Sequence, residues 1–296
     1  MLLAFPGRGV IPSLREAGSM HVGSPRRIHH VNCGSFRPWR GTTLVTHVLV
    51  IELDHGIALV DTGMGTADCA QPARLGWTVR ATRAVFNKAD TAVAHIERLG
   101  FTATDVTDIV VTHMDFDHIS GIADFPGARL HATVGEFRAA TRRTDTVPGR
   151  LRYKPAHLRN MLDVNTYGRD DTDILGEPAR SLRGLDGVFL VPMPGHTAGH
   201  AAVAVDDPDR GWLVHAGDAY MDPSRVVGET HPPSPRLRAA EWVFAVDLDA
   251  ASDSRERLRS MVGSGARVFC SHDARQLREL QQETDRLVRR ESAGGV

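Results

Sequence analysis

The segment HMDFDH at residues 113–118 places two imidazoles and two carboxylates directly after the apolar run IVVT. Imidazole nitrogen and carboxylate oxygen are the donors that divalent first-row metals accept. His113 and Asp115 lie two apart and point the same way in extended chain, whereas the adjacent Asp117 and His118 diverge, so one short loop can serve two neighbouring cations. Three further segments repeat the pattern of an apolar run that ends in a donor: VPMPGHTAGH presents His196, WLVHAGD presents Asp218 and VFCSHD presents His272. Solubility explains any one of these residues, but not four strand ends converging on one chemistry. Two metals about 3.5–4 Å apart can share a hydroxide, acidify it and polarise the carbonyl or phosphoryl oxygen it attacks. No G-x-S-x-G elbow occurs. Cys33, Cys69 and Cys270 show no C-x-x-C spacing. Activated water is therefore the nucleophile this sequence offers, with Asp117 as the carboxylate that orients it.

Those donors need elements to hold them. Runs rich in β-branched residues at 28–34, 43–53 and 57–63 predict strands, the last two joined through Asp54-His55-Gly56. Helical spacing over 91–100 precedes a short apolar strand at 107–113, and a strand at 128–132 precedes a helix at 134–143. Strands follow at 188–194, 201–207, 211–218 and 266–273, then a terminal helix; PRLRAAEWVFAVDLDA and SRERLRSMV predict two more helices. Between 144 and 186 periodicity fails among scattered Pro and Gly, and the segment with Tyr153, His157 and Tyr167 reads as a lid-like insertion. Strands and helices so interleaved, without a linker, predict one α/β (α+β) domain over 26–291, with a flexible N-terminal arm at 1–25 and a tail at 292–296.

The chain has 296 residues, 35 Lys plus Arg against 36 Asp plus Glu, and 42% hydrophobic residues. That balance provides no field to gather a nucleic acid, and no apolar run is long enough to span a bilayer. An odd cysteine count and an apolar N-terminal stretch broken by Pro6 and Gly7 point to a cytoplasmic protein. A small-molecule substrate is the expected partner, with neither nucleic acid nor membrane, and oligomeric state is left open.

From about residue 28 to 273 the chain resembles the metallo-β-lactamase-fold hydrolase superfamily, whose five signature segments appear in order as DTG (61–63), HMDFDH, PGHTAGH (194–200), AGD (216–218) and SHD (271–273). The resemblance implies an αββα sandwich of two mixed β-sheets flanked by helices, with the site at one sheet edge. It implies that His113 and His196 hold one metal, that Asp117, His118 and His272 hold the second, and that Asp218 bridges them. It also implies that Asp61 supports a metal ligand and that His200 is structural.

One departure is informative: the usual H-x-H-x-D-H signature has Asp115 in place of its second His. As a ligand, Asp115 would make the first site harder and lower its charge by one. Two divalent metal ions are expected, zinc first, with manganese or iron admitted by Asp115. The implied activity is metal-dependent hydrolysis of an ester, lactone or thioester, as in lactonase-like members. Those members carry a substrate-contacting Tyr three residues after the bridging Asp; here Tyr220 is two after Asp218 and is a candidate for that role. The alternative is a non-haem iron oxygenase of the sulfur dioxygenase kind, because His113, Asp115 and His196 make a two-His, one-carboxylate set. His157 and His231 lie in irregular segments from which a side chain could reach a substrate.

Overall fold

The structure, a computed structural model, describes residues 23–76, 78–142, 152–159, 161, 163–228 and 232–294. Apart from residues 23–25, the expected arm lies outside the described residues, as do His231 and the start of the expected insertion. Two sheets face each other. One has seven strands in the order β4-β1-β2-β3-β5-β6-β7, comprising β1 (Pro25–Phe36), β2 (Leu44–Leu53), β3 (Gly56–Val60), β4 (Ala84–Val85), β5 (Val106–Val110), β6 (Arg129–Thr133) and β7 (Val164–Tyr167). The other runs β13-β12-β11-β10-β9-β8, comprising β8 (Thr172–Ile174), β9 (Glu177–Leu182), β10 (Leu185–Pro192), β11 (Ala201–Asp207), β12 (Gly211–His215) and β13 (Arg267–Phe269).

Strand β2 shows why a sandwich forms. Successive side chains of a strand point to opposite faces, and here both faces are apolar. Leu49 and Ile51 pack with Leu190, Val203 and Phe269 between the sheets, while Val48 and Val50 pack outward with Ile96 of helix α3 (Ala92–Arg98). The outer face of the second sheet buries Ala202, Ala204 and Val214 against Leu258 and Met261 of α8 (Leu248–Gly263). The αββα sandwich implied by the signature is thus the observed architecture.

Strand direction gathers the donors. β3 and β5 are parallel, as are β12 and β13. β10 and β12 each pair antiparallel with β11 and so share a direction. The C-terminal ends preceding Asp61, His113, His196, Asp218 and His272 therefore reach one edge of the sandwich. Cross-sheet backbone bonds clamp that edge: Ala201 N donates to Thr112 O at 2.9 Å and His47 N to Ser271 O at 2.9 Å.

Two departures from the expected elements have local causes. Residues 164–182 form three strands, where loss of periodicity suggested an irregular segment; β7 and β8 are edge strands with mostly part-exposed positions, and β9 beside β8 mixes buried and exposed positions, so their sequences are polar. PRLRAAEWVFAVDLDA is not one helix. It breaks at Ala245 between α7 (Pro235–Phe244) and α8, because the Asp247 side chain accepts from Ala250 N at 3.0 Å and caps the second helix.

The loop carrying His196 packs without clearance on α5 (Val134–Thr141). A Cβ at Gly199 would lie 1.8 Å from Glu136 N and 2.4 Å from Gly135 C, which are backbone atoms that cannot yield. Gly199→Ala should therefore cost about 3 kcal/mol by overpacking, read by denaturant unfolding against the wild-type chain.

Candidate metal centre

Asp117 and His118 sit on the single turn α4 (Phe116–Ile119), which follows β5 by way of His113 and Asp115. The loops after β10, β12 and β13 bring His196, Asp218 and His272 against them. The resulting donor groups are His113–Asp115–His196, Asp117–His118–His272 and His113–His118–Asp218, with the donor atoms of each group within 4.8 Å of one another. Asp218 is common to both sides: its carboxylate lies 3.1 Å from His272 Nε2, 3.5 Å from His118 Nε2, 3.6 Å from His196 Nε2 and 3.9 Å from His113 Nε2. Metal–donor bonds of about 2.0–2.2 Å place neighbouring donors at such separations.

A cation also fits the polar inventory. His113 Nε2, His118 Nε2, Asp115 Oδ1 and Asp218 Oδ1 are buried with no hydrogen-bond partner among the described residues, although buried polar atoms are normally paired. The rest of the structure orients these nitrogens as lone-pair donors. His118 Nδ1 donates to Asp61 Oδ2 at 2.7 Å and His272 Nδ1 to Val45 O at 2.7 Å. Thr112 Oγ1 donates to Asp61 Oδ2 and so accepts from His113 Nδ1 at 3.0 Å. In its neutral form each of the three rings then presents an unprotonated Nε2 to the centre. His200 stays outside the donor groups, accepting from Asp218 N and donating to Met193 O.

The field in the centre is strongly coupled. Burial would lower His118, but Asp61, Asp117 and Asp218 outweigh it and raise it to about 10. His272 is likewise raised to about 9 by Asp218 and Asp117 against burial. Burial and the neighbouring His118 lower His113 to about 4. Asp117 is raised by burial, with Asp218 and Asp115 adding to it against His118 and His272. Protons and metal compete for the same ring nitrogens.

Burial would raise Asp115 too, yet Arg152 and His113 hold it well below the usual carboxylate range. Arg152 was not foreseen from the sequence. Its guanidinium lies 3.0 Å from Asp115 Oδ2 and also donates to the carbonyls of His196 and Phe244. The expected loss of one positive charge at the first site is therefore offset by a cation from a distant segment. That segment is fastened on both sides. Tyr153 donates to Glu136 Oε1 at 3.2 Å, and Glu136 in turn accepts from Met114 N and Thr197 Oγ1. His157, buried, pairs with Asp68 at 2.7 Å and so anchors this segment instead of facing the cavity.

The centre opens on a cavity of about 460 Å³ whose lining includes Phe36, Pro38, Trp39, Leu44, Val243 and Phe244. Asp115, Asp117, Arg152, His196, Asp218 and His272 line it as well. Tyr220 does not line it, contrary to the expectation that it contacts substrate. It is fully buried in the outer core of the second sheet, with Gln276 Nε2 donating to its hydroxyl at 3.5 Å. The turn closed by Ala219 N on Ala216 O aims residue 220 inward and Met221, three after Asp218, toward the cavity.

Comparison with known proteins gives the same frame. Residues 41–272 match the Metallo-beta-lactamase superfamily. A "Probable metallo-hydrolase" of Mycobacterium tuberculosis is 40% identical over 272 residues, covering 88% of this chain and 84% of that protein. An N-acyl homoserine lactonase of Bacillus cereus is 24% identical over 232 residues, covering 77% and 80%. A solved N-acyl homoserine lactone hydrolase, with N-hexanoyl-L-homoserine bound at its catalytic metal centre, superposes with TM-score 0.61 at 20% identity over 86% of this chain and 96% of that one. By fold, ordered signature and sequence match, this chain belongs to the metallo-beta-lactamase superfamily.

Proposed function

We propose that the chain is a two-metal hydrolase acting on an ester, lactone or thioester with an apolar acyl part. The observation that carries the reading is the set of partnerless buried donor atoms beside a mostly apolar cavity. In this reading His113, Asp115 and His196 hold one divalent ion, Asp117, His118 and His272 the other, and Asp218 serves both. Zinc suits the imidazole-rich set best, and the second carboxylate at position 115 also admits manganese or iron. Bound there, such ions supply an acidified water and polarise the carbonyl under attack.

The chain's own groups do the rest. Asp117 lines the cavity, and its carboxylate orients the attacking water, takes up the proton that water gives up and returns it to the leaving oxygen or sulfur. The wall of Phe36, Trp39, Leu44 and Val243 takes the acyl part and excludes bulk water from the reacting carbonyl. Similarity to the Bacillus lactonase supports lactones within this class, with Met221 standing where a lactonase-type Tyr would be.

Lactones, esters and thioesters of increasing acyl length, offered to zinc-reconstituted protein, test the reading. Turnover of at least one class is expected, with kcat/KM rising about tenfold for each two methylenes buried. No acyl turnover would reject it. Substrate-dependent oxygen uptake by iron-loaded protein would instead favour the oxygenase alternative that the His113–Asp115–His196 group allows.

A further inference from the structure

The residue that departs from the family signature and the arginine that the sequence left unexplained meet in space. Asp115 Oδ2 is shared between His196 Nε2 and the Arg152 guanidinium, each at 3.0 Å, while Asp115 Oδ1 is buried without a partner. Arg152 is itself largely buried and is oriented by the carbonyls of His196 and Phe244. A guanidinium this close to a prospective dication is unfavourable unless an adjacent anion matches it. Asp115 is the one carboxylate recorded within ion-pair distance of it among the described residues. The arginine is also carried by a segment with two buried attachments, Tyr153 to Glu136 and His157 to Asp68.

We propose that Asp115 and Arg152 act as one unit in place of the second histidine of the signature. The carboxylate supplies the donor atom, and the guanidinium cancels its charge and fixes which oxygen faces the metal. The pair then carries the net charge of one neutral imidazole. Arg152 is in this sense a positioning residue that acts through Asp115. The inference rests on the metal-centre reading above, and it explains how the signature can change without changing the charge of the site.

A double-mutant cycle reads it directly. Wild type, Asp115→His, Arg152→Ala and the double variant are compared for zinc affinity by chelator competition and for zinc per chain, with unfolding midpoints as a fold check. Asp115→His alone should weaken zinc binding about tenfold or more, because the new imidazole meets an unmatched guanidinium. Removing Arg152 as well should restore affinity to within about twofold of wild type. Arg152→Ala alone should retain zinc, since the carboxylate remains. Arg152→Lys in the Asp115→His background keeps the charge and should stay weak; Arg152→Gln replaces Ala if the double variant does not fold. Equal cost of Asp115→His with and without Arg152, or wild-type affinity of Asp115→His alone, overturns the proposal. Absence of zinc from the wild-type chain would instead overturn the metal-centre reading beneath it.

Discussion

Asp218→Ala should abolish occupancy of the second metal position and lower hydrolytic kcat/KM by on the order of 10³-fold. The reason is its place in the geometry. Among the described residues, no other side chain lies within 4 Å of four imidazole nitrogens, those of His113, His118, His196 and His272. Without that carboxylate, no described side chain would be left to serve both metal positions. The rings also lose the charge that draws a dication into a buried space. Asp218 N remains fastened to His200 Nε2, so the loop keeps its place and the deficit is one of charge and ligation. Metal per chain and kcat/KM, measured on the same preparation, check this; two metals bound with near wild-type activity would remove Asp218 from the bridging position.

Asp61→Asn should lower metal affinity about 10- to 100-fold, although Asp61 is not itself a donor to the centre. Three protons converge on its carboxylate: Thr112 N–H on Oδ1, and Thr112 Oγ1–H and His118 Nδ1–H on Oδ2. An amide has one accepting oxygen. That oxygen must face the immovable backbone N–H, so the amide NH₂ meets His118 Nδ1 and forces the ring proton to Nε2, where the metal lone pair is needed. Asp61 also has φ +60°, which Asn tolerates as well as Asp. The substitution therefore changes a proton position with little change in backbone strain. Chelator competition reads the affinity; a wild-type value would mean that Asp61 does not set the His118 tautomer.

The cluster of candidate donors was legible in the sequence because each sits within a few residues of the apolar run that positions it. Strand and ligand are local neighbours at His113, His196, Asp218 and His272, and only the direction of the strands, fixed by parallel pairing, had to be added. What escaped is non-local or depends on a turn. Arg152 has no motif of its own, and its meaning comes from Asp115, which lies in another segment. Tyr220 and Met221 are neighbours in sequence, yet a single turn sends one into the core and the other into the cavity. The strands at 164–182 carry polar residues because two of them are edge strands and the third lies next to an edge with exposed positions, so no apolar alternation marked them. His157 suggested a substrate contact by its position in an irregular segment, and its burial on Asp68 gives it an anchoring place instead.

The most direct test of the central claim is elemental analysis of the full chain purified without added metal, followed by zinc titration. About two divalent ions per chain are expected at saturation, the count of a two-metal site, with a fall below two in Asp218→Ala. A chain that binds no zinc and unfolds at the same temperature with and without it would contradict the account.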